Sequence, residues 1–181
     1  MMSRPIIKLL AALATAGAVA MAVPAASAAA GYVPHRCYVS DLAAGFHGSQ
    51  AGLGNRGFIL TLTDVSGISC SLRGYLRLGL RNAADQPLPT RTLRGGTYFD
   101  PGSRPGQASR LVVLSPGETA SADISFGVNG GRAHSVLASY LAITPPGGHR
   151  PFVLRIPSGP APVWLGQVEV TAMARHTPYY P

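Results

Sequence analysis

The sequence predicts an all-β protein, a two-sheet antiparallel sandwich that follows a cleaved N-terminal signal helix. Three observations carry this. Apolar side chains recur with a period of two in several short windows. Gly-, Pro- and Asn-containing turn signals separate those windows about every ten residues, the spacing of sandwich strands. Beyond residue 28 no window repeats with helical period.

The strongest window is Phe58–Leu80. Phe58, Leu60 and Leu62 alternate, Val65-Ser66-Gly67 turns, and Leu72, Leu76, Leu78 and Leu80 resume the pattern, which predicts a hairpin with one buried face. Asn82–Asp85 reads as a turn, and Pro87 and Pro89 suit a loop or sheet edge. A short strand is expected at Thr90–Leu93, a surface loop at Gly95–Gln107 and a strand at Arg110–Leu114. Pro116-Gly117 fits the central pair of a type II turn. Glu118–Val128 then alternates without a break, with Ala120, Ala122, Ile124 and Phe126 on a dry face and Thr119, Ser121, Asp123 and Ser125 on a wet one. After Asn129-Gly130-Gly131, strands are expected at Ala138–Ile143, Pro151–Ile156 and Val163–Met173, the last carrying Trp164 into the core.

Residues 1–28 read as a signal peptide. Arg4 and Lys8 precede an apolar run from Leu9 to Val23, and Ala26-Ser27-Ala28 matches an A-x-A cleavage site. The run is short for a membrane span of ~20 residues. No cysteine stands at the cleavage point to serve as a lipobox, so the expected product is secreted or extracytoplasmic without a transmembrane anchor. The expected organisation is a short linker at 29–36, one β-sandwich domain at 37–174 and a flexible tail at 175–181. Of the 15 basic residues, two lie in the signal segment; the 13 left, all arginine, stand against 7 acidic ones, a formal +6. Such a balance favours acidic surfaces and points to no specific nucleic acid.

Two cysteines in an exported chain predict a disulfide, Cys37–Cys70. Closing a loop of roughly 34 residues contributes about 3–4 kcal/mol on the chain-entropy account.

Cys37, Phe58-Ile59-Leu60-Thr61-Leu62-Thr63, Cys70-Ser71-Leu72-Arg73-Gly74-Tyr75, Leu114-Ser115-Pro116-Gly117-Glu118-Thr119-Ala120 and Thr144-Pro145-Pro146-Gly147 occur in that order. In these segments the chain resembles a secreted actinobacterial family, domain of unknown function 4232, from about Cys37 to Met173. The resemblance implies an immunoglobulin-like β-sandwich with no assigned activity and no catalytic residues to carry over. Many members have proline where this chain has Leu76, which implies that the strand begun at Cys70 continues further here.

Catalytic and cofactor motifs are weak. Gly52-x-Gly54-x-x-Gly57 matches a dinucleotide fingerprint but lacks the strand before it and the helix after it that would present backbone N–H groups to a pyrophosphate. His47 and Ser49 share a Gly-rich loop without a nucleophile elbow. Glu118 and Glu169 act as an acid–base pair only if the fold joins them. His35, His47, His134, His149 and His176 show no metal-ligand spacing. No catalytic, cofactor or metal site is assigned.

The one functional pattern is a stripe: Arg73, Tyr75, Arg77 and Arg81 alternate with leucines, placing three guanidiniums and a phenol on one face of a continuous strand. Such a face grips anionic groups or stacks on rings, and it equally keeps a half-exposed strand soluble. The expected function is a non-catalytic cell-envelope binding or structural module for an acidic envelope polymer. An interaction partner or inhibitor of another exported protein, docking through Tyr98 and Phe99, is the first alternative and a secreted hydrolase the second.

Overall fold

A computed structural model describes residues 34–102, 110–157 and 159–175, all within one compact unit, Val33–Pro181. The expected signal segment and nearly all of the expected tail, His176 included, lie outside the described residues. The described residues form twelve strands: β1 Leu42–Gly52, β2 Asn55–Asp64, β3 Cys70–Leu72, β4 Arg77–Arg81, β5 Arg91–Arg94, β6 Val112–Leu114, β7 Thr119–Gly127, β8 Ser135–Ala138, β9 Tyr140–Thr144, β10 Phe152–Arg155, β11 Ala161–Trp164 and β12 Gln167–Val170. The protein is all-β, as expected. A five-stranded sheet runs β1-β2-β7-β12-β5, a three-stranded one β10-β9-β4, and two-stranded ribbons pair β11 with β8 and β3 with β6. Among the described strands every strand pairing is antiparallel except β12 with β5, at one edge of the large sheet. Among the described residues no helix is long and apolar enough to cross a membrane.

One contiguous core joins these sheets. Leu60, Leu62, Ile124 and Val168 enter it from the large sheet, Leu80, Leu141 and Ile143 from the three-stranded sheet, and Leu72, Leu114 and Val163 from the ribbons. Each such side chain contributes ~1.5–3 kcal/mol on leaving water.

Several local expectations are corrected. The Phe58–Leu80 hairpin does not form, because β2 already has a partner on each side, β1 and β7. Asp64 Oδ1 accepts from the backbone N–H and hydroxyl of Ser66, and the Val65 N–H bonds Asp41, so the chain is led away from β2. The strand beginning at Cys70 does not continue through Leu76. Gly74 takes φ 111°, Tyr75 bridges Ala172, and β4 restarts in another sheet, so the stripe Arg73, Tyr75, Arg77 and Arg81 is not one strand face.

The supposed dinucleotide fingerprint is a tight hairpin. The unpredicted β1 leads into it, Gly52 pairs with Asn55, and Leu53 and Gly54 take φ 46° and 78°, the positive angles a two-residue turn needs. The expected strands Ala138–Ile143 and Val163–Met173 each divide between two sheets, at Ser139 and at Leu165-Gly166.

The wet face of β7 is buried: Ser121, Asp123 and Ser125 are 7%, 6% and 0% exposed. The segment Thr97–Asp100 folds over it. The Tyr98 N–H donates to Ser125 Oγ and Glu169 Oε2, and the Phe99 ring lies on Gly57, where a Cβ would come within 2.3 Å of it. Trp164, expected in the core, is 45% exposed, with its indole against Gly127 and Gly130.

Candidate functional site

The disulfide joins Cys37 to Cys70 with their Cα atoms 4.9 Å apart and both residues fully buried. Around it the N-terminal segment is tied to β3. Cys37 N–H donates to the Ser71 carbonyl at 3.0 Å, Ser71 N–H to the His35 carbonyl at 2.8 Å, and Ser71 Oγ to the Pro34 carbonyl at 3.0 Å. Residues 34–36, expected to be linker, are thereby held beside β3, and Arg36 bridges Ser71 in parallel register.

This register creates a cleft of about 420 Å³ lined by Arg36, Ser71, Arg73, Leu111, Pro146 and Gly147. Its far wall is the turn after β9. Gly148 N–H bonds the Pro145 carbonyl, and Pro146-Gly147 occupies the central positions, with Gly147 at φ 71°, a type II arrangement. Arg36 Nη1 donates to the Gly147 carbonyl at 3.1 Å, and a Cβ on residue 147 would come within 2.5 Å of that guanidinium. Glycine is needed there both for the turn and for the approach of the arginine. Among the described residues neither Arg36 nor Arg73 pairs with a carboxylate. A second groove, about 430 Å³, lies just beyond it along both segments, lined by Tyr38, Val39, Ser40, Gly148, His149 and Arg150.

Of the predicted stripe, only Arg73 reaches the cleft. Arg77 is exposed at the start of β4, opposite Thr144, where β9 enters the Pro145–Gly148 turn. Tyr75 is half-buried with the Arg94 guanidinium 6.0 Å from its ring centre. Arg81 is committed to the Asn82–Gln86 turn, where it bonds the Asp85 carboxylate and carbonyl.

Glu118 and Glu169 do not meet. Glu169 pairs with Ser125, seven residues along β7 from Glu118, or about 23 Å at strand rise. Glu118 accepts from the Ser115 N–H, which, with the nearby Arg175, holds its carboxyl below the ordinary range against a partial opposing effect of desolvation. Among the described residues no group of three His, Cys, Asp or Glu side chains is placed to hold a metal.

With the fold and cleft in place, the chain can be set beside known proteins. The family described as domain of unknown function (DUF4232) matches residues 37–174. The chain belongs to this family. No curated protein and no solved structure matches it. In this DUF4232 chain two of the segments that carry the resemblance, Cys70–Tyr75 and Thr144–Gly147, supply Ser71, Arg73, Pro146 and Gly147 to a single cleft. Arg36 carries no motif of its own and lies in the stretch whose sequence reads as linker. Its adjacency to Cys37 was the available signal, since a disulfide fixes its neighbours as well as itself.

Proposed function

We propose that the protein is a non-catalytic binding module working outside the cytoplasm, which holds an acidic envelope polymer in the cleft between Arg36 and Arg73. The observation that carries the reading is the pair of guanidiniums in one cleft with no carboxylate partner among the described residues. Each presents several N–H donors in a planar fork suited to carboxylate or phosphate, and Arg36 is already oriented by its bond to Gly147. Ser71 has its hydroxyl turned to Pro34 and His35, so it serves as wall and the arginines as grip. A disulfide of this kind persists in oxidising compartments, which supports the location.

The test is retention on immobilised polyglutamate and polyphosphate across a salt gradient. Two exposed charge contacts together amount to ~1–2 kcal/mol, so Arg36→Ala with Arg73→Ala should weaken retention about tenfold at low salt and flatten its salt dependence. Arg155→Ala, exposed on β10 and outside the cleft, should leave it unchanged. Equal retention of the double variant and the parent protein refutes the assignment.

A further inference from the structure

The β1–β2 hairpin carries one irregularity. His47 pairs with Ile59 and Gln50 with Gly57, so Gly48 and Ser49 stand opposite the single residue Phe58, and Gly48 takes φ 62°. Such a bulge bends its strand and re-aims side chains. Beside it lies a cavity of about 180 Å³, lined by Ser49, Gln50, Ala51, Arg56, Gly57, Phe58 and Pro157, with room for about six water volumes.

Arg56 is the charged residue of that lining. It stands across from Ala51 on β1 and Phe126 on β7, on the same strand face as Phe58. Behind it the rings of Phe46, Phe58 and Phe126 stack edge to face, with centres 4.5 and 5.8 Å apart. Arg56 Nη1 is buried and has no hydrogen-bond partner among the described residues, and no carboxylate forms an ion pair with the group. Arg56 as a whole is half-buried, so it is the Nη1 N–H, held beside an aromatic core, that goes without the acceptor that solvent gives the rest of the group.

We propose that the cavity at Arg56 binds a single oxyanion, a carboxylate or phosphate group, with the guanidinium donating to it and Ser49 and Gln50 lining the mouth. The bulge provides the room, and the aromatic wall, poor in competing dipoles, makes one charge pairing count. This goes beyond the cleft at the disulfide: Asp64, at the far end of β2 and 3.7 Å from the Cys70 sulfur, is eight residues from Arg56, roughly 26 Å at strand rise.

The experiment is a titration of the folded protein with acetate and with inorganic phosphate, against chloride at equal ionic strength, followed through the Arg56 side-chain NMR resonance and by thermal unfolding. A saturable Arg56 shift with one of the two oxyanions, absent with chloride, is expected, and the arm that responds names the group. At a hundredfold excess over the dissociation constant the midpoint should rise by about 5 °C or more. Arg56→Met should lose both effects yet be at least as stable as the parent without oxyanion, since the orphan buried N–H is gone. The Arg36→Ala, Arg73→Ala double variant should keep both effects, which separates this site from the cleft. If Arg56→Met fails to fold, Arg56→Lys, which keeps the charge but not the fork, should show weakened binding. Responses equal to those in chloride, or responses persisting in Arg56→Met, overturn the proposal.

Discussion

Asp123 lies on the outward face of β7, 6% exposed, with Oδ2 buried and lacking a hydrogen-bond partner. Burial, reinforced by the neighbouring Asp100 carboxylate, pushes its carboxyl up from 3.8 to about 6. The folded chain therefore holds this proton more tightly than the unfolded one. Below pH about 4 both states are protonated and the residue carries no penalty. Between about 4 and 6 the unfolded chain ionises first, so stability falls as pH rises, and above about 6 the full penalty applies. At ~1.4 kcal/mol per pH unit the displacement is worth about 3 kcal/mol.

Asp123→Asn keeps the shape and removes the ionisation, and its new N–H donors face the negative field of Asp100. Urea unfolding from pH 4 to pH 8 should show the parent losing up to about 3 kcal/mol relative to the variant, most of it by pH 7. At pH 8 the variant should melt about 5–10 °C higher, and at pH 4 the two should nearly coincide. Parallel profiles across the range, or a variant weaker at every pH, would mean that Asp123 is satisfied in the fold and would refute the reasoning.

Two further outcomes follow from the geometry. Reducing the Cys37–Cys70 bond, or replacing both cysteines by alanine, should cost about 3–4 kcal/mol in denaturant unfolding. It should also weaken retention on polyanion more than Arg73→Ala alone, because Arg36 is held beside β3 by the segment that the bond anchors. Trp164 is the only tryptophan, so native fluorescence reports on it alone; being 45% exposed, it should be quenched by acrylamide almost as readily before unfolding as after, and strong native protection would contradict its placement.

The strands that were legible are those whose own residues decide them. β2 and β7 present alternating apolar side chains to a single core, and that apolar face stands as expected even though the polar face of β7 is covered as well. β1 was not legible, because Ala43, Ala44, Gly45, Gly48 and Gly52 carry little strand preference and its extension comes from pairing with β2. The division of Ala138–Ile143 was hidden for the opposite reason. Its flanking residues, Ala138 on one side and Leu141, Ala142 and Ile143 on the other, give no sign of a break, while the switch at Ser139 is made by backbone bonds to Arg81 and Ile156, which no side-chain pattern records. The arginine stripe failed subtly. Parity is kept from Arg73 to Arg81 across the break at Gly74, so alternation continues in the sequence after the strand has left its sheet. The disulfide was legible because chemistry and compartment left one pairing, while the cleft it organises depends on β3 joining β6 and residues 34–36, contacts remote in sequence.

The basic character of the surface owes as much to what the acids do as to the number of arginines. Asp64 holds the Ser66 turn, Asp41 receives the Tyr38 N–H and lies 3.5 Å from His35, Glu169 fastens the loop at Tyr98, and Asp123 is buried in β7. Each is engaged as a hydrogen-bond acceptor inside the fold or removed from solvent. Among the described residues, arginines meet carboxylates only at Arg81–Asp85 and Arg175–Glu118. Arg36 and Arg73 have no carboxylate partner among the described residues, so their field is answered by salt or by an external polyanion. On the proposed reading, the Arg36–Arg73 cleft takes acidic material without giving up an intramolecular ion pair. Its affinity should fall with salt through screening alone, with no accompanying loss of stability, because no part of the fold depends on those charges being paired.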